Sequence, residues 1–289
     1  MSLVVVLLLG VVQGLFMFLP VSSTAHLVLT QHFLIARGHE MPAPDSAEMI
    51  LFDLVLHVGT LVSIVLIFRH SLFRFVHDLL RASWAFVQRP LWGVVPVPLR
   101  LLLLGLLSVF VTGVMGLTLK SLFEQVFGTP AIVALTLTVT GVLLWWTDKL
   151  SPRWLGLKRI GVRHALIIGA AQGLSLMPGL SRSGITIVAA LLCGMKRRWA
   201  AEYSFFIAIP TILAATLVQG VEVLLDTTPE MLGWEVYLLG FVTSAIVGTG
   251  ALWLVLKLLY AARLRIFSFY LWAMALLVIF GLLPMVSPH

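Results

Sequence analysis

Six uninterrupted apolar runs dominate this chain, at approximately residues 49–68, 100–119, 130–148, 202–221, 236–256 and 266–285. A run of about 20 apolar residues is long enough to cross a bilayer as a helix. In hydrocarbon every backbone N–H and C=O must find its partner within the protein, which leaves α-helices or closed β-barrels. A barrel would show short alternating segments, whereas these runs are continuous. The mean hydropathy of +1.08 and the charged fraction of 11% agree, because an ordinary soluble domain has about a quarter of its residues charged. The expected fold is an all-α polytopic membrane protein, a single integral membrane domain over 1–289.

The net charge of +7 does not indicate nucleic acid, because the cations sit in short segments between the apolar runs. Arg69, Arg74, Arg81, Arg89 and Arg100 lie in 69–100, and Lys149, Arg153, Lys158, Arg159 and Arg163 in 149–163. Lys196, Arg197 and Arg198 form a third cluster, and Lys257, Arg263 and Arg265 a fourth. Segments 37–48 and 222–235 are acidic instead, with Glu40, Asp45, Glu48, Glu222, Asp226, Glu230 and Glu235. Placing the basic segments in the cytoplasm predicts an N-terminus and a C-terminus that both face outward. Cys193 is the only cysteine, so an intrachain disulfide is excluded and the compartment is not legible from it. The first residues carry no basic stretch, and polar residues begin by Gln13, so no cleaved signal peptide is expected.

Two further segments, 1–36 and 162–194, are apolar pairs broken at Pro20 and Pro178. They carry the same phrase: GVVQGLFMFLPVSS from Gly10 and GAAQGLSLMPGLSRSG from Gly169. Polar, helix-breaking sequence of this kind is tolerated at membrane depth only where it is buried in protein or lines a wet cavity. Each segment reads as a hairpin that enters and leaves on one side. The first enters from outside and the second from the cytoplasm. Each half, 1–148 and 162–286, is then one hairpin plus three crossings, and an odd number of crossings inverts the second half. LGLLSVFVTGV from Leu104 and LGFVTSAIVGT from Leu239 extend the match. Inverted repeats bring their broken helices together near the midplane to form a site. Chance likeness between apolar segments is the alternative.

The hairpins also hold the chemistry. Pro20 should end one helix, and Ser22 or Ser23 should cap the next, offering helix amides to an anion. His26 lies one turn beyond Ser23, so a hydroxyl and an imidazole share a face, as nucleophile with proton carrier require. A cap serine with a carbonyl-bonded histidine is the simpler account of the same residues. In the second hairpin Arg182 stands among Ser181, Ser183 and Thr186. An arginine within an apolar hairpin is costly and usually functional, and its fork suits phosphate oxygens. A purely structural arginine bonded to carbonyls is the alternative. Gln13, Thr24 and Gln172 complete the candidate substrate-binding groups. Together these residues indicate phosphoryl chemistry or phosphate-headgroup binding.

GLFMFLPVSSTAHL, FDLVLHVGT and QGLSLMPGLSRSGITI resemble the undecaprenyl-pyrophosphate phosphatases, the bacitracin-resistance family, over nearly the whole chain. The resemblance implies ten helices with two re-entrant hairpins and six crossings in inverted repeats. It implies a bacterial plasma-membrane hydrolase with a site open to the periplasm. Such an enzyme removes the terminal phosphate of the C55 isoprenyl diphosphate carrier, which recycles it for cell-wall synthesis. It implies catalytic Ser23 and His26 beside Ser22, and a pyrophosphate site at Ser181, Arg182, Ser183 and Thr186. A divalent cation, Mg or Ca, also follows from the family, and a homodimer is a separate expectation. One departure stands out: the family's second motif glutamate is here Met17, and a thioether neither holds Mg²⁺ well nor takes a proton. Asp53, one turn from His57, is the candidate replacement. The loss leaves a rival reading, a lipid-phosphate binding protein or flippase without hydrolysis. A channel lacks support, since no ring of like charge appears.

Overall fold

A computed structural model describes residues 1–88, 95–119, 122, 130–177, 179–226 and 231–280. Among the described residues there are ten α-helices. They are α1 (Leu3–Phe18), α2 (Ser23–Ala36), α3 (Ala47–Gln88), α4 (Val97–Thr118), α5 (Pro130–Asp148), α6 (Val162–Leu174), α7 (Arg182–Leu192), α8 (Arg197–Asp226), α9 (Trp234–Tyr260) and α10 (Arg265–Ile279). Five are long and apolar enough to cross a membrane: α3, α4, α5, α8 and α9. The sixth expected crossing, 266–285, is α10 over its described part, and its remainder lies outside the described residues.

The four hairpin helices are short for a physical reason. At 1.5 Å per residue α1 and α2 are about 24 and 21 Å long, and α6 and α7 about 20 and 17 Å, against about 30 Å of hydrocarbon. None crosses alone. The first pair breaks after Phe18, at Pro20, as expected. Pro178 lies outside the described residues, but α6 has already ended at Leu174 and α7 begins at Arg182. Gly179, with φ +84°, makes the second turn: a Cβ there would also stand 2.9 Å from the Val133 carbonyl, so both conformation and space require glycine.

Two expectations are corrected. Segment 69–100 was expected as a basic loop, yet α3 continues helically through Arg69, Arg74 and Arg81 to Gln88. No glycine or proline interrupts that stretch before Pro90, and its residues are acceptable helix formers. The acidic segment from residue 222 likewise begins inside α8, which runs to Asp226 despite Pro210, while Glu230 lies outside the described residues. Glu202, within the fourth expected crossing, meets Arg198 one turn earlier at 3.0 Å.

The repeated glycines lie inside helices, away from the breaks. α1 and α6 pass straight through them, and each glycine is a point of backbone contact. A Cβ on Gly14 would lie 2.8 Å from the Ser244 carbonyl oxygen of α9, and one on Gly10 2.9 Å from Thr243 Cβ. A Cβ on Gly169 would lie 2.6 Å from the Ser108 carbonyl oxygen of α4, and one on Gly173 2.7 Å from Met115 Cβ. Lipid tails are as apolar as leucine, so helices in a bilayer associate through such close packing and through hydrogen bonds between them. Both occur here. Ser108 donates to the Ala165 carbonyl (2.9 Å) and Thr112 to that of Gly169 (3.0 Å). Ser63 donates to the Ala245 carbonyl (2.8 Å) and Ser244 to that of Leu56 (3.0 Å).

These contacts give the main helix pairings. α1 and α3 pack on α9, α6 and α8 pack on α4, α10 pairs with α5, and α3 crosses α8. Exchanging the first five helices for the last five maps these pairings onto one another, but the packing of α7 on α8 has no counterpart of similar extent between α2 and α3 among the described residues. The segments from Leu104 and Leu239, matched in sequence, are the parts of α4 and α9 that receive the glycine faces.

The glycine contacts yield a direct expectation. Gly169→Ala should destabilise the protein by about 1–3 kcal/mol, the range for overpacking a tight interface. Gly113→Ala in the same α4 meets nothing within 4 Å and should be neutral or slightly stabilising. Thermal unfolding of both variants in one detergent checks the difference.

Candidate active site

The two hairpin turns meet. Ser183, in the first turn of α7, donates to the Phe18 carbonyl at the end of α1 (3.1 Å), satisfying one of the acceptors that a helix C-terminus leaves open. A Cβ on Gly184 would lie 3.1 Å from Pro20, so the tips interlock. Beside this junction a cavity of about 340 Å³ opens between the hairpins, α3 and α8. Its polar lining comprises Ser22, Ser23, His57, Gln172, Ser175, Ser181, Arg182, Thr211, Thr216 and Gln219, and Leu54, Leu176, Leu180 and Ile212 supply much of the apolar wall.

Met17 lies at its centre. Its sulfur takes three converging donors: Gln13 Nε2 at 3.7 Å, Ser23 Oγ at 3.8 Å and Arg182 Nη2 at 3.8 Å. A thioether is only a weak acceptor. Arg182 has no carboxylate within 4.0 Å among the described residues, and no carboxylate lines the cavity. The guanidinium therefore brings a net positive charge into a largely apolar chamber.

Several expected groups are where the sequence placed them. Ser22, Ser23, Gln172, Ser181 and Arg182 line the cavity, and Gln13 reaches it through Met17. Ser181 caps α7, accepting from the Gly184 N–H at 3.3 Å. Ser22, by contrast, occupies the N-cap position of α2 without a side-chain cap bond, in the left-handed region at φ 66°, ψ 89°. Such a conformation is rare for a residue with a side chain, and it frees the hydroxyl to face the cavity. The expected serine cap of α2 is thus not made, since Ser23 turns its hydroxyl to Met17 instead.

Other expected groups are elsewhere. Ser183 is engaged with Phe18, and Thr186 is buried, donating to the Arg182 carbonyl (2.8 Å) and meeting Ser204; neither lines the cavity. The Thr24 side chain lies outside the described set. His26 does not meet Ser23. Its Nδ1 bonds the Ser22 carbonyl (2.8 Å), its Nε2 meets the Tyr270 hydroxyl (2.5 Å), and its ring stacks on Phe16 with centroids 4.1 Å apart. Phe16 lines the cavity, so the imidazole sits behind the wall. Asp53 is also withdrawn: Gln31 Nε2 donates to both of its carboxylate oxygens at 3.0 Å. His57 Nδ1 bonds the Asp53 backbone carbonyl (2.8 Å), not the carboxylate.

His57 and the α8 residues Thr211, Thr216 and Gln219 are cavity groups that sequence reasoning missed. Thr211, Thr216 and Gln219, isolated polar residues in an otherwise apolar stretch of α8, were the available signal. Tyr270 was missed too, and nothing in its own segment marks it.

The donor set does not fit a protein-held divalent cation. Among the described residues no three His, Cys, Asp or Glu side chains gather closely enough to bind one. The cavity offers hydroxyls, amides, an imidazole, a thioether and a guanidinium but no carboxylate, the ligand that supplies negative charge to a hard-cation site.

Comparison with known proteins agrees with this geometry. The family described as bacitracin resistance protein BacA matches residues 6–277. The undecaprenyl-diphosphatase of Alkalilimnicola ehrlichii is 58% identical over 99% of this chain and 98% of its own length. That of Halorhodospira halophila is 57% identical over 97% and 98%, and that of Halothermothrix orenii 35% identical over 96% and 98%. A match this long, with both hairpins inside it, decides the family: this chain is a member of the BacA, or undecaprenyl-diphosphatase, family.

Proposed function

We infer that this chain is an undecaprenyl-diphosphatase, a multi-pass membrane hydrolase that converts the lipid diphosphate to the monophosphate and releases phosphate. One observation carries the reading from family to site: an arginine without a carboxylate partner, meeting two serine-bearing turns in a chamber with apolar walls. The diphosphate would supply the missing negative charge, and the isoprenyl chain suits Leu54, Leu176 and Ile212.

In the mechanism proposed here Arg182 forks onto non-bridging oxygens of the terminal phosphate and stabilises charge that grows there. Either Ser23 attacks the terminal phosphorus, giving a phosphoserine that water then hydrolyses to free phosphate, or it orients a water that attacks directly and releases phosphate in one step. The bridging P–O bond breaks, and its electron pair leaves with the lipid monophosphate. The attacking hydroxyl's proton is taken up at His26 Nε2 by way of a bridging water and the Tyr270 hydroxyl that occupies that nitrogen. Ser22, Ser181 and Gln172 hold the remaining oxygens. We place the hairpin cavity toward the outside, with the basic helix ends in the cytoplasm. The exchange-invariant helix pairings support reading the halves as inverted repeats.

Arg182→Ala should weaken diphosphate binding by about 2–5 kcal/mol, the cost of truncating one partner of a desolvated charge pair. Titration of the folded variant with a long-chain polyprenyl diphosphate checks this, and unchanged affinity would make the arginine structural.

Position 17 and Asp53 separate two accounts of activation. A carboxylate at 17 would stand among Ser23, Gln13 and Arg182, so Met17→Glu should raise phosphate release, by about 10²-fold if it supplies general-base assistance. Asp53→Asn should change it little, since that carboxylate is held by Gln31 away from the cavity. Phosphate assays on the parent and both variants decide the matter; a collapse in Asp53→Asn would mean that helix α3 supplies the base.

A further inference from the structure

Tyr270 lies on α10, at the far end of the chain from His26, and its hydroxyl is the one side-chain group hydrogen-bonded to that imidazole among the described residues. The Ser22 carbonyl can only accept, so Nδ1 carries the proton. Neutral His26 therefore has an unprotonated Nε2, which accepts from the Tyr270 O–H. Phe16 covers one face of the imidazole, and the Tyr270 ring lies 5.7 Å from it at 26°. His26 is only 8% exposed, so an unpartnered ring nitrogen there would be costly. Three elements thus fix one ring: the first hairpin turn, α1 and α10.

We propose that Tyr270 is a positioning residue for the hydrolysis: with the Ser22 carbonyl and the Phe16 face it clamps His26 in the Nδ1–H tautomer behind the cavity wall, and by turning its hydroxyl it supports the ring with and without a proton on Nε2. The chemistry follows from the hydroxyl, which both donates and accepts. When His26 is neutral, Tyr270 donates to Nε2. A proton reaching Nε2 comes through that hydroxyl, which gives its own hydrogen to the nitrogen, takes the incoming one in its place, and then accepts from Nε2–H. Phenylalanine would keep the ring and its packing but do neither. No backbone group in that place could do both, because a carbonyl would forbid the neutral tautomer and an amide would forbid the protonated ring.

The inference rests on the reading of His26 as proton carrier, and the test separates the two. Purified full-length protein and the variants Tyr270→Phe, His26→Ala and the double variant are assayed for phosphate release from polyprenyl diphosphate. ¹⁵N spectra of histidine-labelled protein are recorded alongside, with the His26 signals assigned by their loss in His26→Ala. Complete removal of general acid–base assistance typically costs about 10²–10⁴-fold, so loss of the clamp alone should lower kcat by about tenfold. KM should be unchanged, the His26 spectrum should lose its single hydrogen-bonded tautomer, and Tyr270→Phe should add nothing in the His26→Ala background. The spectrum reads the clamp even if a variant turns over too slowly to assay. Parent kcat with an unchanged tautomer in Tyr270→Phe would overturn the proposal while leaving His26 catalytic. An equal loss of rate in the His26→Ala background would also overturn it, by showing that Tyr270 only packs α10. Full activity in His26→Ala would remove His26 from the chemistry, and the proposal with it.

Discussion

Backbone contact through glycine is the constraint on which the rest of the molecule depends. In a bilayer, burying apolar side chains against one another gains little over leaving them in lipid, so helices must approach closely enough to share van der Waals contact and hydrogen bonds. Gly10 and Gly14 bring α1 onto α9, and Gly169 and Gly173 bring α6 onto α4. Those two seats fix where the hairpins end. Only then do Phe18 and Ser183 meet, Pro20 lie against Gly184, and Arg182 reach the sulfur of Met17. The cavity is what remains between helices that were positioned by their backbones.

The parts legible in the sequence were those carried by local pattern. Apolar runs marked the crossings, Pro20 marked the first break, and the duplicated phrase marked the two turns that line the cavity. Less legible was anything set by a distant neighbour. The packing role of the glycines was not legible, because a sequence shows a missing side chain but not the neighbour that fills its place. The basic stretch after residue 69 looked like a loop because charge indicates solvent, and a helix that continues into solvent carries the same charges. Ser23 and His26 share helical spacing, yet the imidazole is drawn away by Phe16 and Tyr270. Asp53 and His57 share it as well, yet Gln31 from α2 takes the carboxylate.

The repeat also shows one residue type put to two uses. Gln172 donates to Thr112 and Thr211, tying α6 to α4 and α8 while lining the cavity. Gln13, its counterpart, donates to Met17 instead. The same turn of the same motif therefore braces three helices in one half and holds a cavity-lining thioether in the other. Duplicated sequence supplied the framework, and the divergence lies in what each glutamine finds opposite.

Met17 changes the character of the chamber as well as its chemistry. A glutamate there would cancel the charge of Arg182, and the empty cavity would be close to neutral. With a thioether in its place, the guanidinium demands a mobile counter-ion whenever substrate is absent. Substrate entry is then an anion exchange, and so is each departure of product. Phosphate, the small product, carries the charge such a counter-ion needs, so the empty site would act as a one-site anion exchanger. Its occupancy is set by whichever anions the surrounding medium supplies.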